Sequence, residues 1–263
     1  MRPYWALFSA RFRMLLQYRA AALAGIATQI FFGYVILAGY RAFYSASPGP
    51  HPLSLEQMVT YVWLGQAMLG FLPWYADPDV REMMRDGSVA YQMLRPMGLY
   101  GVLFCRALAR RAAPTLLRAA PMFVVAFPFL GLDAPASVAS GLAWAAGTLG
   151  ALMVSGSIAT LLGISLFWTI SGEGVNRFVP GFMMLFSGML VPIPFYTEAI
   201  QPLLNVLPFR AIVDIPFRLY LGDIPPGQAW SVLLHQWVWV LLLGLLGYGL
   251  TALGRRRLVV QGG

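Results

Sequence analysis

The chain has 263 residues, 59% hydrophobic and only 11% charged, with a mean hydropathy of +0.69. Soluble domains carry about a quarter charged residues, so this composition points to a membrane and excludes a free soluble enzyme, a secreted disulfide scaffold and a disordered tail. The net charge of +8 comes from arginine alone, because the sequence has no lysine. That excludes a Walker A nucleotide site and lysine Schiff-base chemistry on this chain.

The first 20 residues do not read as a cleavable signal peptide, because Arg11, Arg13 and Arg19 interrupt the apolar run such a peptide needs. Residues 1–19 instead place Trp5, Phe8, Phe12 and Leu15 at helical spacing, with Arg11, Arg13 and Gln17 off that stripe. This predicts an amphipathic helix lying in the membrane interface.

Charge-free intervals then mark the spans, since about 20 apolar residues cross a bilayer as a helix. Residues 20–40 are span one and 57–76 span two. Span three, 119–132, is short and needs a helix that starts earlier, with Arg118 reaching back to the headgroups. Pro114, Pro121, Pro128 and Pro135 recur through it every seven residues. Residues 134–172 hold span four as one long tilted helix, 178–197 span five and 224–254 span six, closed by Arg255, Arg256 and Arg257. On this division 15 of the 18 arginines fall on one side, and only Arg41, Arg210 and Arg218 on the other. The positive-inside rule makes the first side cytoplasmic. The expected fold is therefore all-α and polytopic, with six transmembrane helices, both termini cytoplasmic, and a single domain over residues 1–263. The charge pattern follows topology and gives no reason to expect nucleic acid.

Two segments lie between spans. Residues 77–112 form a basic cytoplasmic loop, in which Asp77 suits an N-cap and Pro78 a first helical turn. Gly87 suits a left-handed helix end, Ser88 caps a second short helix, and Pro96 stops it. The exposed side chains of this pair are expected to be Tyr91, Met93, Leu94 and Arg95. Residues 192–223 form an external segment rich in proline and aromatics, where Arg210, Asp214 and Arg218 share a helical spacing suited to an ion-pair network.

The run from Arg85 to Pro96, Arg-Asp-Gly-Ser-Val-Ala-Tyr-Gln-Met-Leu-Arg-Pro, resembles the loop between spans two and three of type-2 ABC exporter permeases. Ser187 to Tyr196, with Pro192 and Pro194, is similar to that family's end of span five. Asn205 to Arg210, with Pro208 and Phe209, is similar to the external stretch that follows it. The resemblance covers nearly the whole chain. It implies a permease half that pairs with a second permease, identical or related, above two ABC ATPase subunits. The nucleotide, ATP with its Mg, would sit on those partners, leaving this chain with no cofactor and no catalytic residue of its own. Asp86, Gly87, Ser88, Tyr91, Met93, Leu94, Arg95 and Pro96 would form the ATPase-coupling element. Pro192, Pro194, Asn205, Pro208, Phe209 and Arg210 would belong to an external re-entrant segment. The implied location is the bacterial inner membrane, with lipid as a further partner.

Other features have plainer readings. Gly147, Ala151, Ser155, Ala159 and Gly163, spaced by four, form a small-residue stripe suited to tight helix packing within the subunit. Cys105 is a lone packing residue, and His51 and His235 are too far apart in sequence to suggest a metal cluster. The rival function is a six-span intramembrane serine protease pairing His235 with Ser155, Ser157 or Ser187. The glycine two residues before the nucleophile is missing at each of the three serines.

Overall fold

The computed structural model of the chain describes residues 2–47, 49–94, 96–168 and 173–255. Their regular structure is entirely helical, with no strand among the described residues. The helices are α1 (Arg2–Leu15), α2 (Arg19–Ala46), α3 (Leu55–Met68), α4 (Pro78–Arg85), α5 (Val89–Met93) and α6 (Leu99–Val125). They continue with α7 (Val138–Ser165), α8 (Glu173–Phe186), α9 (Gln201–Val206), α10 (Asp214–Leu221) and α11 (Ala229–Arg255).

Among the described residues four segments are long and apolar enough to cross a membrane: Ala22–Ala46, Leu99–Leu130, Val138–Ser165 and Pro226–Gly254. They fall on spans one, three, four and six. Spans two and five carry shorter helices of 14 residues each, α3 and α8. At 1.5 Å per residue such a helix is about 21 Å long, less than a bilayer core of about 30 Å. Beyond α3 the chain tightens into a 3-10 turn at Leu69–Phe71 and reaches Pro73. Beyond α8 it turns at Gly188, whose φ of +89° is open to glycine at little cost.

Span three differs most from the charge-free interval. Its helix begins at Leu99, so residues 99–112 are helical and not loop. Pro114 and Pro121 sit inside α6, which ends in a π-helical turn at Ala126–Leu130 and a left-handed Gly131. Such interruptions are tolerated where neighbouring helices and local adjustments satisfy the freed backbone groups. Arg118 does not simply reach outward. Its guanidinium lies against α2 at Gly25, where a Cβ would come within 3.0 Å of Nε.

Burial singles out α7. In its most apolar stretch 72% of residues are buried, against 22–28% in the other three spans. Small residues explain how neighbours get so close. Gly147 faces Pro216 and Leu219 of α10, Gly156 faces Leu108 and Phe104 of α6, and Gly163 faces Val80 of α4. Ala151, Ser155 and Ala159 are buried on the same helix, and the Ser155 hydroxyl donates to the Phe71 carbonyl. At Gly150 a Cβ would collide with the Gln236 side chain. Gln236 itself is fully buried, and its Nε2 donates at 2.8 Å to the carbonyls of both Gly147 and Ala211. One neutral amide thus joins α11 to α7 and to the 3-10 turn at Phe209–Ala211.

Replacing Gln236 with Leu removes both bonds. At roughly 0.6 kcal/mol for each hydrogen bond between membrane helices, the variant is expected to lose about 1 kcal/mol. Reversible unfolding in mixed detergent micelles measures this. A stability equal to wild type would show that the two bonds hold nothing.

Candidate functional site

The two short helices α4 and α5 form an elbow at one end of the bundle. Asp77 caps α4: its Oδ1 accepts the Asp79 N–H at 3.1 Å, and Pro78 occupies the first turn. Gly87, with φ +74°, makes the break between the helices. No atom lies within 4 Å of the place a Cβ would take there, so the glycine serves backbone conformation and not packing. Ser88 stands at the N-cap position of α5, but its side chain makes no cap bond. The Asp86 carboxylate instead accepts the Ser88 N–H at 2.8 Å and closes the turn from the other side. That bond to the Ser88 amide holds the exposed Asp86 carboxyl below the usual carboxylate range.

One side of the elbow is anchored. Val80 and Val89 are buried in a small apolar cluster with Ala76, Leu99, Leu103 and Leu162. Charges reinforce this. Asp77 lies 3.5 Å from Arg110 Nη1 and 3.7 Å from Arg106 Nε. Asp79 accepts from Arg106 Nη2 at 2.8 Å and also pairs with Arg11. The two carboxylates therefore tie α4 to α6 and to the N-terminal helix α1. The other side of the elbow is bare: Tyr91 is 71% exposed and Leu94 81%. Met93 departs from the sequence expectation, because it is half-buried against the apolar cluster. Pro96 is exposed past the end of α5, and Arg95 lies outside the described residues.

The ionic cluster is what the sequence reading missed. Sequence spacing explains Asp77 by capping and Arg11 by a polar helix face, and gives Asp79 no role. The available signal was Arg106 and Arg110, four apart on an apolar helix and matched by two carboxylates two apart. The helix α1 likewise does more than lie at an interface. It docks on α6, where the Tyr4 hydroxyl accepts the Gly98 N–H at 2.8 Å and its ring leaves no room for a Cβ at Gly101. Trp5 remains exposed and stacks on Phe8, as Phe8 does on Phe12.

Residues 192–223 fold back into the bundle. Pro192 precedes a 3-10 turn at Ile193–Phe195 that contains Pro194, and Asn205 lies in α9. Pro208, Phe209 and Arg210 lead into α10, which packs on α7 and α3. Its hub is Asp214, fully buried. Asp214 Oδ2 lies 3.4 Å from Arg210 and 3.5 Å from Arg218, while Oδ1 accepts the Ile193 N–H at 3.2 Å. Arg210 also donates to Asn205, and Arg218 pairs with Asp223 at 2.5 Å. Burial of these charges is sustained because every one of them has a partner.

The serines weighed as nucleophiles are otherwise engaged. Ser155 donates to Phe71 O, Ser157 donates to Met153 O at 2.9 Å, and Ser187 Oγ accepts the Met189 N–H. His235 Nε2 lies 3.3 Å from the Leu207 carbonyl. Among the described residues no group of three or more His, Cys, Asp or Glu is placed to hold a metal.

A family model described as ABC-2 family transporter protein matches residues 27–262. The chain belongs to the ABC-2 transporter family. No curated protein and no solved structure matches it. Members of the ABC-2 family are membrane components of transport and are not themselves catalytic. The apolar helices of this ABC-2 chain agree with a multi-pass membrane protein.

Gly87 gives the sharpest local test. A left-handed backbone costs an L-residue about 1–2 kcal/mol. Gly87→Ala is expected to raise hydrogen exchange at Val89–Met93 by roughly fivefold or more, with α7 unchanged. Unaltered exchange in α5 would mean that the turn does not constrain it.

Proposed function

We propose that this chain is the membrane-spanning permease subunit of an ATP-driven exporter, and that the elbow from Asp86 to Pro96 seats on a separate ATPase subunit. The observation that carries this is the two-sided construction of the elbow. Its apolar tip, Tyr91 and Leu94, is bare, while its root is bonded to α1 and α6 through Asp77 and Asp79 and packed on α7 through Val80. Exposed aromatic and aliphatic side chains on a rigid base are what a partner's groove binds. A rigid base also passes displacement on, which a loose loop does not.

In this reading ATP and its Mg are bound by the partner, in keeping with the absence of lysine here. Closure of two ATPase subunits moves two elbows, one from each permease of a pair. The pair is either two copies of this chain or this chain and a related one. The membrane halves then alternate the side on which their shared cavity opens. Coupling requires that the elbow contact the ATPase differently in the two states, since a contact equal in both shifts nothing. The elbow and both termini face the cytoplasm, residues 192–223 face outward, and the setting is the inner membrane of a bacterium.

The test is purification of the tagged chain in mild detergent. A P-loop ATPase is expected in equal amount with wild type. In the doubly substituted chain, Tyr91→Asp with Leu94→Asp, recovery of the ATPase is expected to fall at least roughly tenfold, the effect of losing about 1.4 kcal/mol of contact. Leu203→Asp, on an exposed position of α9 outside the candidate spans, serves as the control. Full recovery in the double variant removes the elbow assignment. A wild-type chain that emerges alone even after cross-linking in native membranes removes the exporter proposal.

A further inference from the structure

Beside the root of the elbow lies a cavity of about 610 Å³, bounded by α1, the start of α2, the segment 69–79 and α6. Four arginines line it, Arg11, Arg110, Arg111 and Arg118, against one carboxylate, Asp79. Two of these cations are already spoken for. Arg11 pairs with Asp79, and Arg110 pairs with Asp77 and lies 5.8 Å from the centre of the Tyr75 ring. Asp79 is further saturated by Arg106. Arg111 and Arg118 have no carboxylate within ion-pair distance among the described residues, and neither Nε has a hydrogen-bond partner.

Arg111 is the unusual one. It is only 6% exposed, deep enough that leaving its charge uncompensated is expensive. Arg110 beside it adds repulsion, and Asp77, which attracts it from beyond ion-pair distance, is already shared by Arg106 and Arg110. Buried guanidinium groups in such a position need an anion, and their flat fork suits the oxygens of phosphate. The remaining walls are apolar or aromatic: Met14, Leu69, Leu117, the half-buried Trp74 and the exposed Tyr18. A basic pocket between membrane helices with an apolar flank is the kind of site that holds an acidic lipid headgroup.

We infer that this cavity is a binding site for a phosphate-bearing anion, seated on Arg111 and Arg118. The oxygens of the bound group meet the two unpaired guanidinium groups, and any attached chain runs along the apolar wall. The site is independent of the coupling proposal, since it uses neither the elbow tip nor an ATPase.

Two sources present this chemistry, an acidic phospholipid and free phosphate. Binding to the delipidated chain in uncharged detergent distinguishes them, read by thermal shift or by intrinsic fluorescence, with Trp74 in the lining. The probes are dioctanoyl phosphatidylglycerol, dioctanoyl phosphatidylcholine and inorganic phosphate. Phosphatidylglycerol is expected to bind roughly tenfold more tightly than phosphatidylcholine, the worth of one charge-assisted contact of about 1.4 kcal/mol. Arg111→Gln and, separately, Arg118→Gln are each expected to remove that preference, while Arg13→Gln, on an exposed position away from the cavity, keeps it. Inorganic phosphate binding as tightly as phosphatidylglycerol, with the same dependence on the two arginines, identifies free phosphate as the occupant. Equal affinity of the wild type for both lipids, with no binding of phosphate, overturns the site even if a variant fails to fold. So does a preference that survives both substitutions.

Discussion

Close approach to α7 is the constraint on which the rest of the architecture depends. In an apolar solvent there is no hydrophobic drive between helices, so association relies on contact area and on polar groups that find each other. Glycine and alanine along α7 supply the first, by letting α4, α6 and α10 come near its backbone. Ser155 and Gln236 supply the second, by bonding to carbonyls that belong to other elements. Larger side chains at these places would push the neighbours outward and break the polar links with them.

The two ends of α7 meet different chemistry built on one pattern. Gly163 marks the end beside the elbow, and Gly147 the part beside α10, about 24 Å away at the helical rise. Near each, aspartate is held among arginines: Asp77 and Asp79 with Arg106 and Arg110, and Asp214 with Arg210 and Arg218. Arginine suits this role because its five donors can serve two carboxylates at once, as Arg106 does. The difference lies in surplus. Around Asp214 each cation has a partner, whereas beside the elbow Arg111 and Arg118 are left over.

Much of this was legible in the sequence. Charge-free apolar length located the helices of spans one, four and six, because length and apolarity are one-dimensional properties. The elbow was legible because Asp-Pro and Gly each fix a backbone conformation locally, and the turn at Gly87 follows from that residue alone. Helix ends were less legible. Charge-free intervals placed span three at 119–132, but a helix is not obliged to stop where charge begins, and α6 carries Arg106, Arg110, Arg111 and Arg118 along its length. Each of the first three sits near aspartate, or near a cavity, that only the fold brings together. The links from Arg11 to Asp79 and from Gln236 to Gly147 join positions 68 and 89 residues apart, which no spacing rule reaches.

The way the elbow is fastened has a mechanical consequence. Its root is held at several separated points, to α1 through Arg11, to α6 through Arg106 and Arg110, and to α7 through Val80. A body held at several points neither swings nor slides freely. A load applied at Leu94 is divided among three helices, and it reaches them by two routes, through Val89 and Met93 into the apolar cluster and through the turn at Gly87 into α4. The geometry is that of a short bracket, whose footing is spread over ion pairs on one side and apolar contact on the other.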